Sequence, residues 1–371
     1  MRVLLCHQPI DGGVGRHIRD LAAGLVATGH EVTLCSPARP AGVTDEVAHV
    51  PLDLRRAASP RSDLAALARL TAILRELRPQ VVHAHSSKAG AVARLTRFAD
   101  PRVPVLYSPH GYAFAGYFTR SSERTVYRWI ERALAPLTTR VVCVCEAEAR
   151  LARAVGADGR VAVIYNGIAP APEGPADPRL VELARRGPVI GALTLLRPGK
   201  GLETLIAAAP SLLERHPAAQ LAIVGDGPDL DALSDQARAL GVADAVTFLG
   251  PSRDPLGALR GMDVFVHPSW AESFPYVILE AMSLARPIVA SDVGGIGEAL
   301  VPGHSGLLTP ARDERALAGA LTDLLDDPAR ARSLGEEALR RSQVFSCGAM
   351  VQRMADLYEQ VAPSVRTGRS R

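Results

Sequence analysis

The chain has 371 residues, more than one compact core usually carries, and its 47% apolar and 22% charged residues are the balance of a folded, water-soluble protein. A formal net charge of +3 argues against nucleic acid as a partner. Apolar runs fall short of the roughly 18–20 residues that cross a bilayer, and strand-like sequence begins at once without a signal-peptide layout, so a two-domain cytoplasmic protein is expected.

Residues 2–8, RVLLCHQ, read as a short buried strand, PIDGGVG as a glycine loop and RHIRDLAAGLVATGH as an amphipathic helix. Gly12, Gly13 and Gly15 let the backbone approach a ligand, and a helix start behind them favours phosphate or carboxylate. The loop lacks the full G-x-G-x-x-G spacing, which disfavours a nicotinamide site, and a tight turn without a ligand is the plain alternative. EVTLCS is the next strand, residues 37–42 are loop, and Leu64, Leu67, Leu70, Ile73 and Leu77 recur at helical spacing. VVHAH ends a strand in His83 and His85, and SSKAG opens a helix through Phe98 that Ser86 or Ser87 can cap. Lys88 beside it either meets an anion or is simply solvated.

Residues 104–114 form a strand ending in His110-Gly111, at the carboxyl edge where parallel sheets bind ligands. The helix RTVYRWIERALA and the strand RVVCVCEAE continue the alternation, with Glu146 and Glu148 at the strand end. Cys143 and Cys145 would face one side of that strand. With Cys6, Cys35 and Cys347 elsewhere, no second ligand pair stands at zinc-site spacing, so all five read as small buried residues and no metal is expected.

The Pro- and Ala-rich stretch 169–178 reads as a linker between domains at 1–168 and 179–345. Beyond it PVIGALTL, AQLAIVGDGP, AVTFLG, DVFVHPSW, PIVAS and SGLLTP read as strands separated by helices, so both halves are α/β with doubly wound parallel sheets. A final amphipathic helix, 346–362, is expected to pack back towards the first domain, and 363–371 to fray.

Within this alternation, WAESFPYVILEAMSLARPIVAS at 270–291 places two acids in different settings. Pro275 suits a first helical turn, so Glu272 lies in the preceding loop and Glu280 on an almost wholly apolar helix, where a carboxylate needs partners. The amides of Ser273 and Phe274 would point at whatever lies off the helix start, which suits a polyhydroxyl or phosphorylated ligand.

GGVG, HSSKAG, SPHG, YNGI, RPGKG, VGDGP, FLG and above all ESFPYVILEAM, in this order and over nearly the whole chain, resemble the retaining glycosyltransferases of family 4. The resemblance implies the GT-B fold: an acceptor-side and a nucleotide-sugar-binding Rossmann-like domain facing a central cleft, whose closure would exclude water. It implies that Glu272 holds sugar hydroxyls and Glu280 the ribose of a nucleotide diphosphate sugar, UDP-linked before GDP-linked. It gives Lys200 to the diphosphate, places Gly12, Gly13 and Gly225 in loops that approach the nucleotide, and sets His110 beside the sugar. The family's arginine stands five positions before the lysine, where this chain has Leu195, so Arg197, three positions before, is expected to reach the diphosphate by a changed loop path. GGIGE at 294–298 departs from the commoner Pro before Glu.

Transfer of a hexose or N-acetylhexosamine to an acceptor hydroxyl with front-face retention is implied, with no metal required and no cofactor beyond the donor. The architecture also admits a nucleotide-sugar epimerase or a non-catalytic binding subunit. HSSKAG and SPHGYAF suggest relatives acting on lipid-linked acceptors, and Arg69, Arg75, Arg78, Arg94 and Arg97 are candidates for peripheral contact with an anionic inner membrane face. A soluble small-molecule acceptor, as in natural-product glycosylation, stays open.

Overall fold

The computed structural model describes residues 1–55, 59–116 and 121–362, so the tail expected to fray lies outside the described residues. The chain forms two compact units, one made of residues 1–166 with the segment from 347 onward, the other of residues 167–346.

The first unit runs β1 (Arg2–His7), α1 (Gly12–Ala27), β2 (Glu31–Ser36), β3 (Ala48–Pro51), α2 (Pro60–Leu77), β4 (Val81–His85), α3 (Ser87–Leu95), β5 (Val105–Ser108), α4 (Ser121–Leu134), β6 (Arg140–Cys143), α5 (Glu146–Ala152) and β7 (Val161–Val163). Its strands pair in parallel in the order β3-β2-β1-β4-β5-β6-β7. Both faces are covered, so successive residues of a strand enter different cores. Val3 and Leu5 of β1 pack with Ile18, Leu21 and Leu25 of α1, whereas Leu4 and Cys6 pack with Leu70 and Ile73 of α2 and Val92 of α3.

The second unit runs α6 (Pro178–Ala184), β8 (Val189–Leu193), α7 (Leu202–Arg215), β9 (Gln220–Val224), α8 (Leu230–Ala239), β10 (Val246–Gly250), α9 (Pro255–Arg260), β11 (Val264–His267), α10 (Tyr276–Ser283), β12 (Ile288–Ser291), α11 (Ile296–Ala299), β13 (Leu307–Thr309), α12 (Glu314–Asp326) and α13 (Pro328–Ser342). Its parallel order is β10-β9-β8-β11-β12-β13. The final helix, α14 (Cys347–Val361), belongs to the first unit, where Met350, Val351, Met354 and Tyr358 join the α1 core. Gly24 of α1 lies against Val351, so a side chain there would strike α14.

The structure differs from the sequence reading at several local points. β3, whose sequence AHVP has little strand character, was not expected; pairing with β2 makes it a strand. α1 starts at Gly12, so the glycines form its first turn instead of a loop before it. β6 stops at Cys143, and Cys145 caps α5, its sulfur accepting from the Glu148 amide at 3.4 Å, so the two thiols do not share a strand. Neither Ser86 nor Ser87 caps α3 through its hydroxyl; the chain enters that helix through Ser86 at φ +74°. Lys88 meets an anion of the chain itself: its ammonium lies 2.8 Å from the Asp63 carboxylate and ties α3 to α2. Arg94 is no membrane contact: it is buried against Glu131 of α4 at 2.9 Å, with its guanidinium 4.1 Å above the Tyr107 ring. Arg97 instead binds the Thr139 hydroxyl and the Pro101 carbonyl.

Candidate active site

In an open parallel sheet the strand order reverses at one place, and loops leaving the carboxyl ends of the two strands there diverge to leave a crevice. In the second unit that place lies between β8 and β11. The loop after β8 carries Arg197 and Lys200, and the loop after β11 carries Ser269 through Pro275. They meet: the Lys200 ammonium lies 2.6 Å from Glu272 Oε1, and the same oxygen is 3.1 Å from His267 Nε2. Ser269 Oγ completes the group at 3.2 Å from His267 Nε2. Residues 72 apart in sequence thus form one cluster at the switch point.

Tight backbone contacts fix these loops. Trp270 donates its amide to the Gly199 carbonyl at 2.8 Å and its indole N–H to Thr204 at 3.0 Å, while Arg312 lies 4.1 Å over its ring. Gly201, at φ +69°, lies against the Pro268 carbonyl where no side chain fits. On the other side Gly295 donates to the Ser273 carbonyl at 2.6 Å, and Gly294, at φ +59°, abuts the Glu272 carbonyl. Gly225, after β9, adopts φ +145° against the Thr194 carbonyl, which explains the glycine in VGDGP by close backbone approach.

Burial alone would raise the Glu272 carboxyl, but the Lys200 ammonium and the His267 hydrogen bond outweigh it and hold the acid far below the usual carboxylate range. Glu272 is therefore a fixed anion, an acceptor for hydroxyl donors, with a cation in contact. Arg197 stands in the same turn, its carbonyl accepting from the Lys200 amide at 3.3 Å, whereas Leu195 is 58% exposed and offers no charge. Pro275 precedes α10 with extended geometry, and Phe274 is buried against Phe345 at 5.3 Å, so its ring anchors the loop. Glu280 is half-buried on α10, between the fully buried Leu279 and Ala281.

The first unit reverses its strand order between β1 and β4, and histidines gather there. His7 ends β1, His83 and His85 lie on β4, His17 is on α1, and His110 follows β5. His85 Nδ1 and His110 Nε2 share a hydrogen bond of 2.9 Å. His17 Nδ1 lies 3.1 Å from Asn166 Oδ1, and His83 bridges Tyr358 of α14 at 2.6 Å and Ser108 at 2.9 Å. Burial, reinforced by neighbouring imidazoles, lowers His83, His85 and His110 well below the ordinary histidine value, so these rings are neutral at physiological pH. His110 sits at φ +53°, a region sparsely used by residues other than glycine, followed by Gly111 at φ +103°. The turn is pinned by buried Glu148, which accepts from the Gly111 amide at 2.5 Å and the Val144 amide at 2.9 Å. Gly12 and Gly13 form the first turn of α1 above this cluster's sheet edge, Gly12 at φ +60°, and Gly15 lies against the Ile10 carbonyl.

His267, Ser269, Trp270 and Glu148 were not singled out as site residues by the sequence. For the first three the available signal was position, since DVFVHPSW ends a strand at the switch point. Replacing Glu148 by Ala leaves two backbone amides without their acceptor and is expected to cost about 2–4 kcal/mol, measured by denaturant unfolding of the purified protein. A loss below about 0.5 kcal/mol, the scale of ordinary surface changes, would show that Glu148 does not pin the turn.

Known proteins share the family and the fold of this chain. The profile described as Glycosyltransferase Family 4 matches residues 11–171, and that described as Glycosyl transferases group 1 matches residues 181–341. A Mycobacterium tuberculosis protein named glycogen synthase is 32% identical over 369 residues, covering 89% of this chain and 86% of its own. A Kineococcus radiotolerans D-inositol 3-phosphate glycosyltransferase is 33% identical over 311 residues, covering 76% and 71%. Among solved structures, sucrose-phosphate synthase from Thermosynechococcus elongatus superposes with a TM-score of 0.82 at 24% identity, covering 97% of this chain and 99% of its own. Anabaena HepE in complex with UDP-glucose gives 0.81 at 23% identity, covering 97% and 100%.

Proposed function

The chain belongs to the group 1 and family 4 glycosyltransferases and is an enzyme of the GT-B type, and on that premise we propose that it transfers a hexose or N-acetylhexosamine from a UDP-sugar to an acceptor hydroxyl with retention. The observation that carries this reading is the Lys200–Glu272 contact of 2.6 Å at the switch point of the second unit. An ionised acid and a cation in one crevice match the two ends of a sugar diphosphate, hydroxyls on one side and phosphate charge on the other.

In this reading Glu272 accepts hydrogen bonds from the sugar hydroxyls and Glu280 from the ribose. As the bond from the sugar to the diphosphate lengthens, negative charge grows on the leaving oxygen while the ring gains oxocarbenium character. Lys200 and Arg197, with the amides of Ser273 and Phe274, oppose that charge without having to reorient, which is where such fixed groups lower a barrier most. This supply of fixed charge makes a metal-independent reaction the proposal. Gly12, Gly13 and Gly225 are assigned to close backbone approach at the nucleotide. His110 is assigned to the transferred sugar as a neutral hydrogen-bonding ring, because its surroundings disfavour an imidazolium. The leaving phosphate takes the acceptor proton on the face it departs from, giving retention. UDP is favoured as the nucleotide, a choice supported by the HepE structure of the same fold, which holds UDP-glucose.

Incubation with UDP- and GDP-sugars and a mixture of lipid-linked and soluble acceptors, in chelator, tests the reading by mass spectrometry, and NMR gives the anomeric configuration of the product. Transfer from a UDP-sugar with retained configuration is expected. His110→Ala should lower turnover at least about a hundredfold, the range for one lost transition-state group. Inverted product, strict metal dependence or unchanged His110→Ala turnover would each overturn the corresponding part. An epimerised nucleotide sugar formed from donor alone would replace the proposal with an epimerase.

A further inference from the structure

The helix α4 is held from one side and, among the described residues, exposed on the other. Its Glu131 accepts from Arg94 at 2.9 Å and from the Tyr107 hydroxyl at 2.9 Å, all three side chains being buried, and Leu134 is buried a turn further on. Turning about 100° per residue, Val126, Trp129, Ile130 and Ala133 share one stripe away from that anchored side. Val126 is 55%, Trp129 66% and Ile130 42% exposed, an unusual concentration for a chain with only two tryptophans. Arg124, Arg128 and Arg132, spaced by four, form the adjoining stripe and are exposed. Arg132 leans over the Trp129 ring at 6.0 Å, Arg128 lies 5.4 Å from the Phe114 ring, and Arg124 donates to the Phe114 carbonyl at 3.1 Å. Of the two acids on α4, Glu131 is turned inward and neutralised by Arg94, which leaves Glu123 against three arginines on the outside.

We propose that α4 docks the protein on an anionic phospholipid bilayer. An exposed apolar stripe with a tryptophan, next to a row of arginines, is the pattern of a helix lying in the plane of a membrane interface: the apolar side chains enter the acyl boundary while the guanidinium groups meet lipid phosphates. At 14 residues α4 is too short to cross a bilayer. The charge selects the lipid: a protein partner would need both an apolar groove and acidic groups in register with three arginines, whereas any anionic leaflet offers both at once. The helix also bears on the chemistry. Phe114, which Arg124 and Arg128 contact, stacks on Tyr112 at 4.9 Å in the segment that leaves the His110-Gly111 turn. Docking through α4 would thus seat that turn next to a lipid surface, as a lipid-linked acceptor requires; this last step rests on the proposed transfer reaction, while docking itself does not.

Sedimentation with phosphatidylcholine vesicles, with and without half phosphatidylglycerol, tests docking in the absence of nucleotide. Wild type should pellet with the anionic vesicles and release with salt, with a blue shift of the fluorescence that Trp129→Ser removes. Trp129→Ser with Ile130→Ser should weaken binding at least tenfold, and Arg128→Gln with Arg132→Gln roughly fivefold per residue, both with the unfolding midpoint unchanged. If the apolar pair lowers that midpoint, the exposed arginine pair decides. Equal pelleting with neutral vesicles, no pelleting, or undiminished pelleting of the arginine variant overturns the proposal, as does concentration-dependent self-association of wild type that the apolar pair abolishes without vesicle binding.

Discussion

Lys200→Ala is expected to weaken UDP binding by about 3 kcal/mol, a loss of roughly a hundredfold, because it removes the one ammonium fixed at the switch point beside the proposed phosphate position. Titration calorimetry of the variant with UDP measures it, and unchanged affinity would sink the assignment. The substitution has a second consequence inside the protein. Lys200 and Glu272 are 17% and 13% exposed and in contact at 2.6 Å, and the acid is ionised because that cation outweighs burial. Without Lys200, burial prevails, and Glu272 either takes up a proton or stays as a poorly compensated anion. Removing one member of a buried pair costs several kcal/mol, and partial solvent access here reduces that to about 2 kcal/mol. Glu272→Gln in the Lys200→Met background removes both charges and should restore stability while leaving UDP affinity low. Recovery of affinity together with stability would mean that the lysine acts on the fold alone.

Much of this could be read along the chain. Short apolar strands alternating with amphipathic helices, each strand followed by glycine or a helix start, specify doubly wound sheets almost locally, because the buried parallel strand and the covering helix each have their own periodicity. The loop setting of Glu272 and the helical setting of Glu280 were equally local, resting on Pro275. Contacts between distant segments were not legible. Lys200 and Glu272 are 72 residues apart, and only likeness to a family joined them before the sheet order did. Arg94 looked like one of several surface arginines because its partner Glu131, 37 residues later, carries no mark of burial in its own helix. Burial takes Arg94 out of the exposed set and Arg97 binds a hydroxyl and a carbonyl, while Arg69, Arg75 and Arg78 stay exposed; the apolar stripe of α4 shows only once its anchored side is known. β3 followed the same logic: an unpromising tetrapeptide became a strand because β2 had an open edge.

The histidines of the first unit should make it acid-labile well above the pH at which carboxylates protonate. Burial is the largest cause in each case: it lowers His7 and His17 from 6.5 to about 4, the His7 bond to Pro9 and the His17 bond to Asn166 opposing it only in part, and it takes His83, His85 and His110 well below 6.5. An unfolded chain binds protons at these rings as pH drops through about 6.5, whereas the folded one does so only near about 4 at His7 and His17, and well below 6.5 at His83, His85 and His110. The unfolded state therefore holds more protons across that window, and stability, complete above it, falls as pH falls. For His17 alone the difference between 6.5 and about 4 corresponds to about 3 kcal/mol, against a total of roughly 5–15 kcal/mol for a domain. Glu272 lies in the other unit, and its contribution is complete above the ordinary carboxylate range and is lost only as pH falls through that range and below it, so the two units should separate between pH 7.5 and 5. Calorimetric scans from pH 7.5 to 5 are expected to show one transition moving steeply to lower temperature while the other stays nearly fixed. His17→Gln, whose amide can keep a hydrogen bond to Asn166 but cannot titrate, should flatten the slope of the mobile transition even if it lowers its midpoint at pH 7.5. A midpoint independent of pH over this range would require these rings to be protonated, and hence paired with charge, in the folded protein. Such pairing would also remove the reason for treating His110 as a neutral partner of the sugar.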